Sequence, residues 1–530
     1  MFKGQSVSNN LSQQKRILIA VVLSFLFFVV YDYFFIPKAP ITEQNITKNE
    51  QNNSAPQTNH AKQAPKVELS VNQKDEIALI KSEHFQANID SLGRISKFYL
   101  SDEKFKDENG KSINLVDTSL SPLPLEIRFS DNTINQEAFN TPYTANQKNI
   151  EVNDTNNTLI LTQHLNNLIV TKKITFYKYG NYDIEVNLSK DIPYFITPGY
   201  RPNIAVDSYT LHGVLTLNKD DKINILEDGD VKNDENFANV TLMSAFDRYY
   251  SVLFYNFENP INAVVTKDTN ENSVIFASAN GNFKANGYIG SKEHEILRSI
   301  DPRLDEVVEY GWFTFIAKPM FEFLNFLHGY MGNWGWAIVI MTLIVRIILF
   351  PLTYKSMISM NKLKDLAPKM KEIRDRYKGD PQKMNIHMME LYKKHGANPM
   401  SGCLPILIQI PIFFAIYRVL LNAIELKAAP WAFWITDLSV MDPWFVLPIF
   451  MGITMFIQQL ITPMTIQDPM QAKIMKFLPL IFTFFFLTFP AGLTLYWCVN
   501  NICSLIQQVI VNKLFKNHKQ EEIAKHEHRS

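Results

Sequence analysis

The chain has 530 residues, and its 52 Lys and Arg balance its 52 Asp and Glu, so no overall charge favours nucleic acid or an acidic substrate. The mean hydropathy of −0.08 conceals apolar blocks near the N-terminus and in the last third, which exclude a wholly soluble protein. The three cysteines lie in apolar stretches, so the polar region between the blocks has no disulfide framework and no cysteine-based metal site. No Walker-type loop, HExxH motif or dinucleotide fingerprint is present, so we expect no cofactor, no metal and no nucleotide hydrolysis.

The first apolar segment, residues 17–36, is about twenty residues long, enough to cross a hydrocarbon core of roughly 30 Å as a helix. Lys3, Lys15 and Arg16 precede it and predict a cytoplasmic N-terminus, residues 1–16. A cleaved signal peptide is the alternative interpretation. Because the apolar run is longer than a typical signal-peptide core, and the Pro-Lys-Ala-Pro after it lacks a small-x-small cleavage pattern, we expect a retained anchor.

Five further apolar segments predict membrane-spanning helices, at residues 334–354, 401–422, 446–462, 474–489 and 493–511. Basic residues outnumber acids in the loop at 355–400 and are frequent in the tail at 512–530, whereas Lys427 stands alone against three acids in the loop at 423–445. The positive-inside rule therefore predicts six spans, both termini in the cytoplasm and a short cytoplasmic loop at 463–473. The polar region between the first two spans is then external.

The external region has two parts. Residues 37–74 are rich in Asn, Gln, Lys and Pro with few aromatics, which predicts a disordered linker. Residues 75–300 alternate apolar and polar side chains in short runs, as in 158–162, 168–177 and 182–188, and this period of two predicts an all-β sandwich of antiparallel strands. A scaffold or docking role is the simplest interpretation, and sugar or peptide binding in a cleft of the sandwich is the alternative.

Residues 301–333 connect this domain to the second span. Phe313, Ile316, Met320 and Phe323 recur at helical spacing with polar residues between them, which predicts an amphipathic helix on the outer membrane surface. A seventh span is the alternative, but two charges and a proline in the middle of the segment oppose it.

The basic cytoplasmic loop predicts a helical hairpin. Apolar residues at alternating three- and four-residue steps, from Leu363 to Tyr377, are typical of a coiled-coil seam. Asp380 and Pro381 suit the N-cap and first position of a second arm, and Pro368 is expected to kink the first arm or restart its helix. A solvated loop without a fold is the alternative. Its charge would suit either ribosomal RNA or anionic lipid.

Arg346 is the candidate functional residue that the apolar blocks single out. It lies about nine residues, or roughly 13 Å, from Lys355 at the inner boundary, beyond the reach of a snorkelling side chain. An arginine at this depth costs at least about 2.5–3.5 kcal/mol. The five later spans contain no Asp or Glu to pair with it. We therefore expect a water-filled cavity around Arg346 or a partner polypeptide that supplies an acid.

Polar residues in the spans are candidates to line such a cavity. Thr342 lies one helical turn before Arg346, on the same face. The others are Gln409, Gln458, Gln459, Thr483, Asn500, Asn501, Gln507 and Gln508. Each alone is typical of an interhelical hydrogen bond, but together they exceed what a lipid-exposed bundle needs.

Four motifs resemble those of the YidC membrane protein insertases. They are residues 342–353, residues 398–405 with 409–413, residues 468–471, and residues 489–500. The order of the motifs and the predicted topology are similar to the family over the whole chain, and the long external domain is similar to the Gram-negative bacterial form.

The resemblance implies a protein of the bacterial inner membrane that inserts nascent membrane proteins and helps them fold, alone or with the Sec translocon. It implies a hydrophilic, positively charged groove open to the cytoplasm and lipid, with Arg346 as its arginine and Thr342 in contact with substrate. Trp497, beside Tyr496, stands where relatives carry a substrate-contacting tyrosine. The candidate groove therefore comprises Arg346, Thr342, Gln409, Asn500, Tyr496 and Trp497. Implied partners are nascent membrane proteins, the Sec translocon, the ribosome through the cytoplasmic loops and basic tail, and membrane lipids.

We expect insertion to involve no bond chemistry, because partition of about twenty apolar residues into lipid can supply the free energy. Two other classes of function remain open. A small-molecule transporter or channel is opposed by the lack of intramembrane acids and of a clear internal repeat. An envelope scaffold, whose β domain recognises a ligand while the spans anchor it, would not need a buried arginine.

Overall fold

The computed structural model describes residues 75–106, 110–153, 157–206, 210–396, 404–462 and 469–527. The chain divides into two compact units, Met1–Gly290 and Ser291–Ser530. Their described parts are called the β unit and the helical unit. The predicted anchor at 17–36 and linker at 37–74 lie outside the described residues.

Mostly antiparallel strands make up the β unit. In chain order they are β1 Glu76–Lys81, β2 Phe85–Asp90, β3 Ile95–Leu100, β4 Ile127–Phe129, β5 Thr144–Ala145, β6 Asn149–Glu151, β7 Thr158–His164, β8 Ile169–Phe176, β9 Asn181–Leu188, β10 Pro193–Ile196, β11 Gly213–Asn218, β12 Ile223–Glu227, β13 Glu235–Phe246, β14 Tyr250–Tyr255, β15 Ile261–Lys267, β16 Ser273–Asn280 and β17 Phe283–Ser291. The smaller sheet has the order β3-β2-β1-β6. The larger sheet follows the path β4-β10-β16-β15-β13-β14-β17-β9-β8-β7-β5, with β11 paired to β12 and β13.

The predicted β-sandwich is confirmed in its alternation and in its core. Buried residues alternate with more exposed ones along β7, β8 and β9, because successive side chains of a strand point to opposite faces of the sheet. These three strands form consecutive antiparallel pairs. Aromatic rings join the two sheets: Phe85 stacks on Phe98 at 4.8 Å and lies 6.5 Å from Phe176 of the larger sheet.

One helix of the β unit was not predicted. Helix α1 spans Asn132–Asn140, and the side chain of Asp131 caps it by accepting from the backbone N–H groups of Thr133 and Ile134. Ala138 is its one buried residue, so the segment has no apolar stripe that a periodicity argument could detect.

A cluster of charges is buried in the β unit. Arg94 pairs with Asp90 at 2.7 Å and with Glu126 at 2.9 Å, and Arg128 pairs with Glu126 at 2.7 Å. Lys172 of β8 is fully buried beside them and donates to two backbone carbonyls at 2.8 and 2.9 Å. Hydrogen bonds and ion pairs thus compensate the burial of these charges.

The helical unit contains eight described α-helices. They are α2 His294–Ile300, α3 Thr314–Met331, α4 Trp334–Arg376, α5 Pro381–Lys394, α6 Leu404–Asn422, α7 Val446–Ile461, α8 Pro469–Phe486 and α9 Ala491–Glu527. A helix therefore lies at each of the five later predicted spans. Among the described residues α4 is long and apolar enough to cross a membrane, and shorter apolar stretches are Gln409–Asn422, Val446–Ile461 and Phe477–Phe486.

Helix α4 runs without interruption from the first of these apolar segments into the basic hairpin. It contains both Pro351 and Pro368, so the expectation that the helix restarts at Pro368 is wrong. A proline removes one backbone hydrogen bond from a helix. Buried Leu366 and Met370 flank Pro368 and pack in the hairpin seam, which holds the helix together across it.

The hairpin seam is confirmed. Leu363, Leu366 and Met370 of α4 form one apolar cluster with Met388 and Leu391 of α5. The predicted cap is also present, since Asp380 accepts from the backbone N–H of Lys383 at 3.1 Å and Pro381 is the first residue of α5. The solvated loop without a fold is therefore excluded.

Helix α9 is longer than the predicted last span. It continues to Glu527, through most of the segment predicted as a basic tail from residue 512. Residues 512–527 contain neither Gly nor Pro and several residues of high helix propensity, so nothing in the sequence ends the helix at the predicted boundary.

The segment between the β strands and α4 differs from its prediction in two ways. Helix α2 lies within residues predicted as β structure, and the division between the units falls after Gly290 rather than at residue 300. Two 3-10 helices, Pro302–Val307 and Gly311–Phe313, precede α3, which starts only at Thr314. The helical spacing is confirmed within α3, but its most buried residues are Ala317, Phe321 and Leu324, each next to a predicted stripe position.

An ion-pair network joins α2 to α3. His294 donates through Nδ1 to Asp305, and Arg298 pairs with Asp305 at 2.7 Å and with Glu322. The Nε2 atom of His294 lies 2.8 Å from the hydroxyl of Tyr310. Burial opposes ionisation of Asp305, but the hydrogen bonds from His294 and Arg298 outweigh it and lower the pKa of this carboxyl to about 2.

Candidate functional site

Arg346 lies in the apolar part of α4, half-buried, and faces α9. Its Nε donates to Oδ1 of Asn500 at 2.7 Å, and its Nη2 donates to the backbone oxygen of Asn500 at 3.3 Å. Both acceptors are neutral oxygens. No carboxylate of the described residues pairs with this guanidinium, so its charge is solvated by dipoles and not neutralised.

A polar stripe on α9 faces Arg346. Tyr496, Asn500, Ser504 and Gln507 recur every three or four residues and therefore share one face of the helix. The hydroxyl of Ser504 donates to the backbone oxygen of Asn500 at 2.9 Å. Gln507 Nε2 lies 3.4 Å from the backbone oxygen of Arg346, to which it donates. The stripe thus contacts α4 at two points.

Helix α6 joins the same region through Gln409. Its Nε2 donates to the hydroxyl of Tyr496 at 3.4 Å, and Tyr496 is buried. Of the predicted groove residues, the structure therefore brings Arg346 of α4 into contact with Asn500, and Gln409 of α6 into contact with Tyr496. Both contacts are made to the polar stripe of α9.

Thr342 and Trp497 are placed differently. The hydroxyl of Thr342 is buried and donates to the backbone oxygen of Ile338, one turn earlier in its own helix, at 2.7 Å. Trp497 lies in an aromatic cluster, with ring centroids 4.7 Å from Phe413 and 5.0 Å from Phe486. Its indole N–H is buried and has no hydrogen-bond partner among the described residues.

Two residues that the sequence reasoning missed extend the contact between α4 and α9. Asn361 Nδ2 donates to Oδ1 of Asn512 at 2.9 Å, and Gln508 Nε2 donates to the same oxygen at 2.8 Å. Both asparagines lie beyond the predicted ends of their spans, at 354 and 511, in the predicted hairpin and the predicted tail. The signal was available, because Asn512 follows Gln508 by four residues and continues a polar face.

The loop at 423–445 closes the end of the bundle opposite the hairpin. Buried Asp442 accepts from Trp434 Nε1 at 2.9 Å and from the backbone N–H of Leu447 at 2.7 Å, which fixes the start of α7. The backbone N–H of Gly492 donates to the oxygen of Leu438 at 2.9 Å, which fixes the start of α9. The helix ends on this side are thus tied to one loop.

The chemistry that this arrangement offers is electrostatic. A half-buried guanidinium held by an amide attracts a carboxylate more strongly than it would in water, because the surrounding dielectric is lower. Among the described residues no group of three or more His, Cys, Asp or Glu is placed to hold a metal ion.

Two protein families match the chain. The family described as YidC periplasmic domain matches residues 241–323, and the family described as 60Kd inner membrane protein matches residues 326–520. A membrane protein insertase YidC from Campylobacter jejuni is 70% identical over 515 residues, which are 96% of this chain and 97% of that protein. The chain belongs to the YidC family of membrane protein insertases.

The chain is also similar to a second curated insertase and to a solved structure. A membrane protein insertase YidC from Wolinella succinogenes is 51% identical over 527 residues, 98% of each chain. A crystal structure of an active YidC insertase with its first transmembrane domain resolved covers 93% of this chain and 99% of its own, at 18% identity and a TM-score of 0.37. Family membership confirms the predicted location in the inner membrane, with the β domain in the periplasm, and the general function of membrane protein insertion.

Proposed function

We propose that the polar region where α4, α6 and α9 meet is a groove that receives the hydrophilic end of a nascent membrane protein. The observation that carries this proposal is the environment of Arg346, whose guanidinium is bonded to neutral oxygens of Asn500 and to no described carboxylate. An acidic or polar segment of a substrate would complete this environment. The segment would then enter the inner leaflet, and its apolar part would have a shorter path across the membrane.

The energetics need no nucleotide. Insertion scales put an arginine at this depth at about 2.5–3.5 kcal/mol above water. The packing of α4 in the folded protein offsets this unfavourable free energy. A substrate carboxylate relieves part of that cost while it passes. The apolar segment that follows partitions into lipid at about 25 cal/mol per Å² of buried apolar surface, which supplies the net free energy.

The proposed orientation follows the charge pattern of the loops. The helical unit would cross the membrane five times, with a preceding anchor at 17–36 and with both termini in the cytoplasm. The basic hairpin, which consists of α4 from about residue 355 onward and of α5, would then lie in the cytoplasm, and the loop at 423–445 would close the groove on the periplasmic side. The groove would open to the cytoplasm and to lipid.

The partners beyond the substrate are proposed from charge and position. The hairpin and the end of α9 carry many Lys residues, which suits the ribosome or anionic lipid. Cooperation with the Sec translocon is proposed from the family resemblance. It would place the lipid-facing side of the groove next to the exit of that channel.

A photoreactive amino acid in place of Gln507 tests the groove. The side-chain oxygen of Gln507 is buried and has no partner among the described residues, although its amide nitrogen donates to the backbone of α4. We expect this probe to crosslink to a membrane protein stalled on the ribosome during synthesis. The matched control is Ile506, which neighbours Gln507 but is 54% exposed on another face. Equal crosslinking of the stalled chain from both positions would contradict a groove at the polar stripe.

A further inference from the structure

The geometry points to Asn500 as a positioning residue that orients the Arg346 guanidinium towards an incoming carboxylate, an inference that rests on the proposed function. Arginine donates five hydrogens in a fixed fork, and its acceptors occupy particular edges of that fork. The Nε and Nη2 atoms lie on the same side edge. Both are taken by Asn500, through its side-chain oxygen and its backbone oxygen.

The other edge of the guanidinium is left for a ligand. Nη1 has no hydrogen-bond partner among the described residues, and Nη2 has a second hydrogen that points along the end of the fork. A carboxylate can accept from Nη1 and Nη2 together across this end edge. Asn500 thus selects which edge of Arg346 the substrate meets.

Asn500 is itself held in place. Its backbone oxygen also accepts from the hydroxyl of Ser504 at 2.9 Å, and the guanidinium, which can only donate, fixes the side-chain oxygen as the atom that faces it. An amide is suited to this position for a second reason. It binds the cation without neutralising it, whereas a carboxylate at residue 500 would pair with Arg346 and compete with the substrate.

The test compares Asn500→Asp, Asn500→Ala and Arg346→Ala in the full-length chain reconstituted into proteoliposomes. The substrate is a single-span protein whose translocated tail carries either two Asp or, in a matched version, two Asn. We expect Asn500→Asp to slow insertion of the acidic tail at least about tenfold, because the introduced carboxylate competes with the substrate for a charged hydrogen bond of about that value. Asn500→Ala keeps the positive charge of Arg346 but no longer orients its guanidinium. We expect the insertion rate of the acidic tail to decrease by about threefold. The Asn-tailed substrate should be affected less by both.

The control is Asn501→Ala. Asn501 neighbours Asn500 but faces α7, where its Nδ2 lies 3.5 Å from Thr454 Oγ1, so its loss should leave the ratio between the two tails unchanged. If Asn500→Asp inserts the acidic tail at the wild-type rate while Arg346→Ala inserts it slowly, the role of Asn500 is overturned but the proposed function is not. Equal slowing of both tails would also overturn it, because Asn500 would then only support the helix pair. If Arg346→Ala inserts the acidic tail at the wild-type rate, the proposed function itself fails.

Discussion

Asn361 of α4 donates to Asn512 of α9 at 2.9 Å, so the two helices are hydrogen-bonded beyond the predicted membrane boundary as well as at Arg346. The pair extends the wall of the proposed groove towards the hairpin. Its energetic weight can be measured, because an interhelical hydrogen bond is worth about 0.6 kcal/mol and rarely more than about 1.7 kcal/mol.

Replacing both members of this pair should destabilise the helical unit by less than the sum of the two single replacements. Asn361→Leu leaves the Asn512 oxygen with Gln508 as its remaining donor, and we expect a loss of about 1 kcal/mol. The double variant with Asn512→Leu loses the same bond only once, although Gln508 also loses its acceptor, so its loss should be smaller than the sum of the two single losses. Thermal unfolding in detergent, compared among the wild type, the two single variants and the double variant, measures the coupling between the two residues. Strictly additive effects of the two substitutions would contradict a direct bond.

The buried lysine of the β unit predicts a pH dependence of stability. Burial lowers the pKa of Lys172 to about 7, and the nearby charges of Asp90 and Glu126 only partly oppose this effect. In the unfolded chain the lysine has its ordinary pKa near 10.4, so between about pH 7 and 10 the unfolded state binds more protons. The free energy of unfolding of the β unit should therefore rise with pH in this window, by at most about 1.4 kcal/mol per unit.

Urea unfolding of the full-length chain between pH 7 and 9, followed by the β-sheet signal in circular dichroism, measures this dependence. Lys172→Met is the matched variant, because it keeps most of the side-chain volume and removes the titrating group. We expect it to abolish the slope, although it also removes donors to the backbone oxygens of Gly93 and Leu125. The same slope in both proteins would assign the pH dependence to other groups.

The periplasmic β domain should be separable from insertion when the cut respects the boundary between the units. Deletion of residues 75–290 removes the sandwich and leaves α2 intact, and we expect insertion to continue at more than half the wild-type rate. Deletion of residues 75–300 also removes His294, which is buried and bonded to Asp305 and to Tyr310. This longer deletion should destabilise the helical unit.

Insertion into inverted membrane vesicles, normalised to the amount of folded protein, compares the two deletions. Loss of insertion by the shorter deletion, at normal expression, would assign the β domain a part in the mechanism. Full activity of both deletions would contradict the structural role of the His294 network.

The parts of the fold that the sequence predicted are those that depend on local periodicity or on a single unusual residue. The alternation of β8 follows from a period of two, and the hairpin seam around Leu366 follows from heptad spacing. Arg346 was identified because a charge within an apolar run is costly whatever the fold. Conversely, α1 was missed because it buries only Ala138 and has no stripe.

Pairing between distant residues could not be predicted in the same way. The bond between Arg346 and Asn500 joins positions 154 residues apart, and it depends on how α4 and α9 pack. The sequence placed Asn500 with Arg346 in one candidate groove, but it did not predict the bond between them. Likewise, the boundary at residue 511 follows from hydropathy, and hydropathy does not record that α9 continues as a helix beyond the apolar run.

The direct test of the proposed groove is the insertion rate of an acidic-tailed substrate by Arg346→Ala in proteoliposomes. We expect a decrease of at least about tenfold, because one hydrogen bond to a charged group in a low dielectric is lost. Arg346→Lys should retain much of the activity, since it keeps the positive charge at the same depth, and an Asn-tailed substrate should be slowed much less by either variant. Insertion of the acidic tail by Arg346→Ala at the wild-type rate would contradict the central claim.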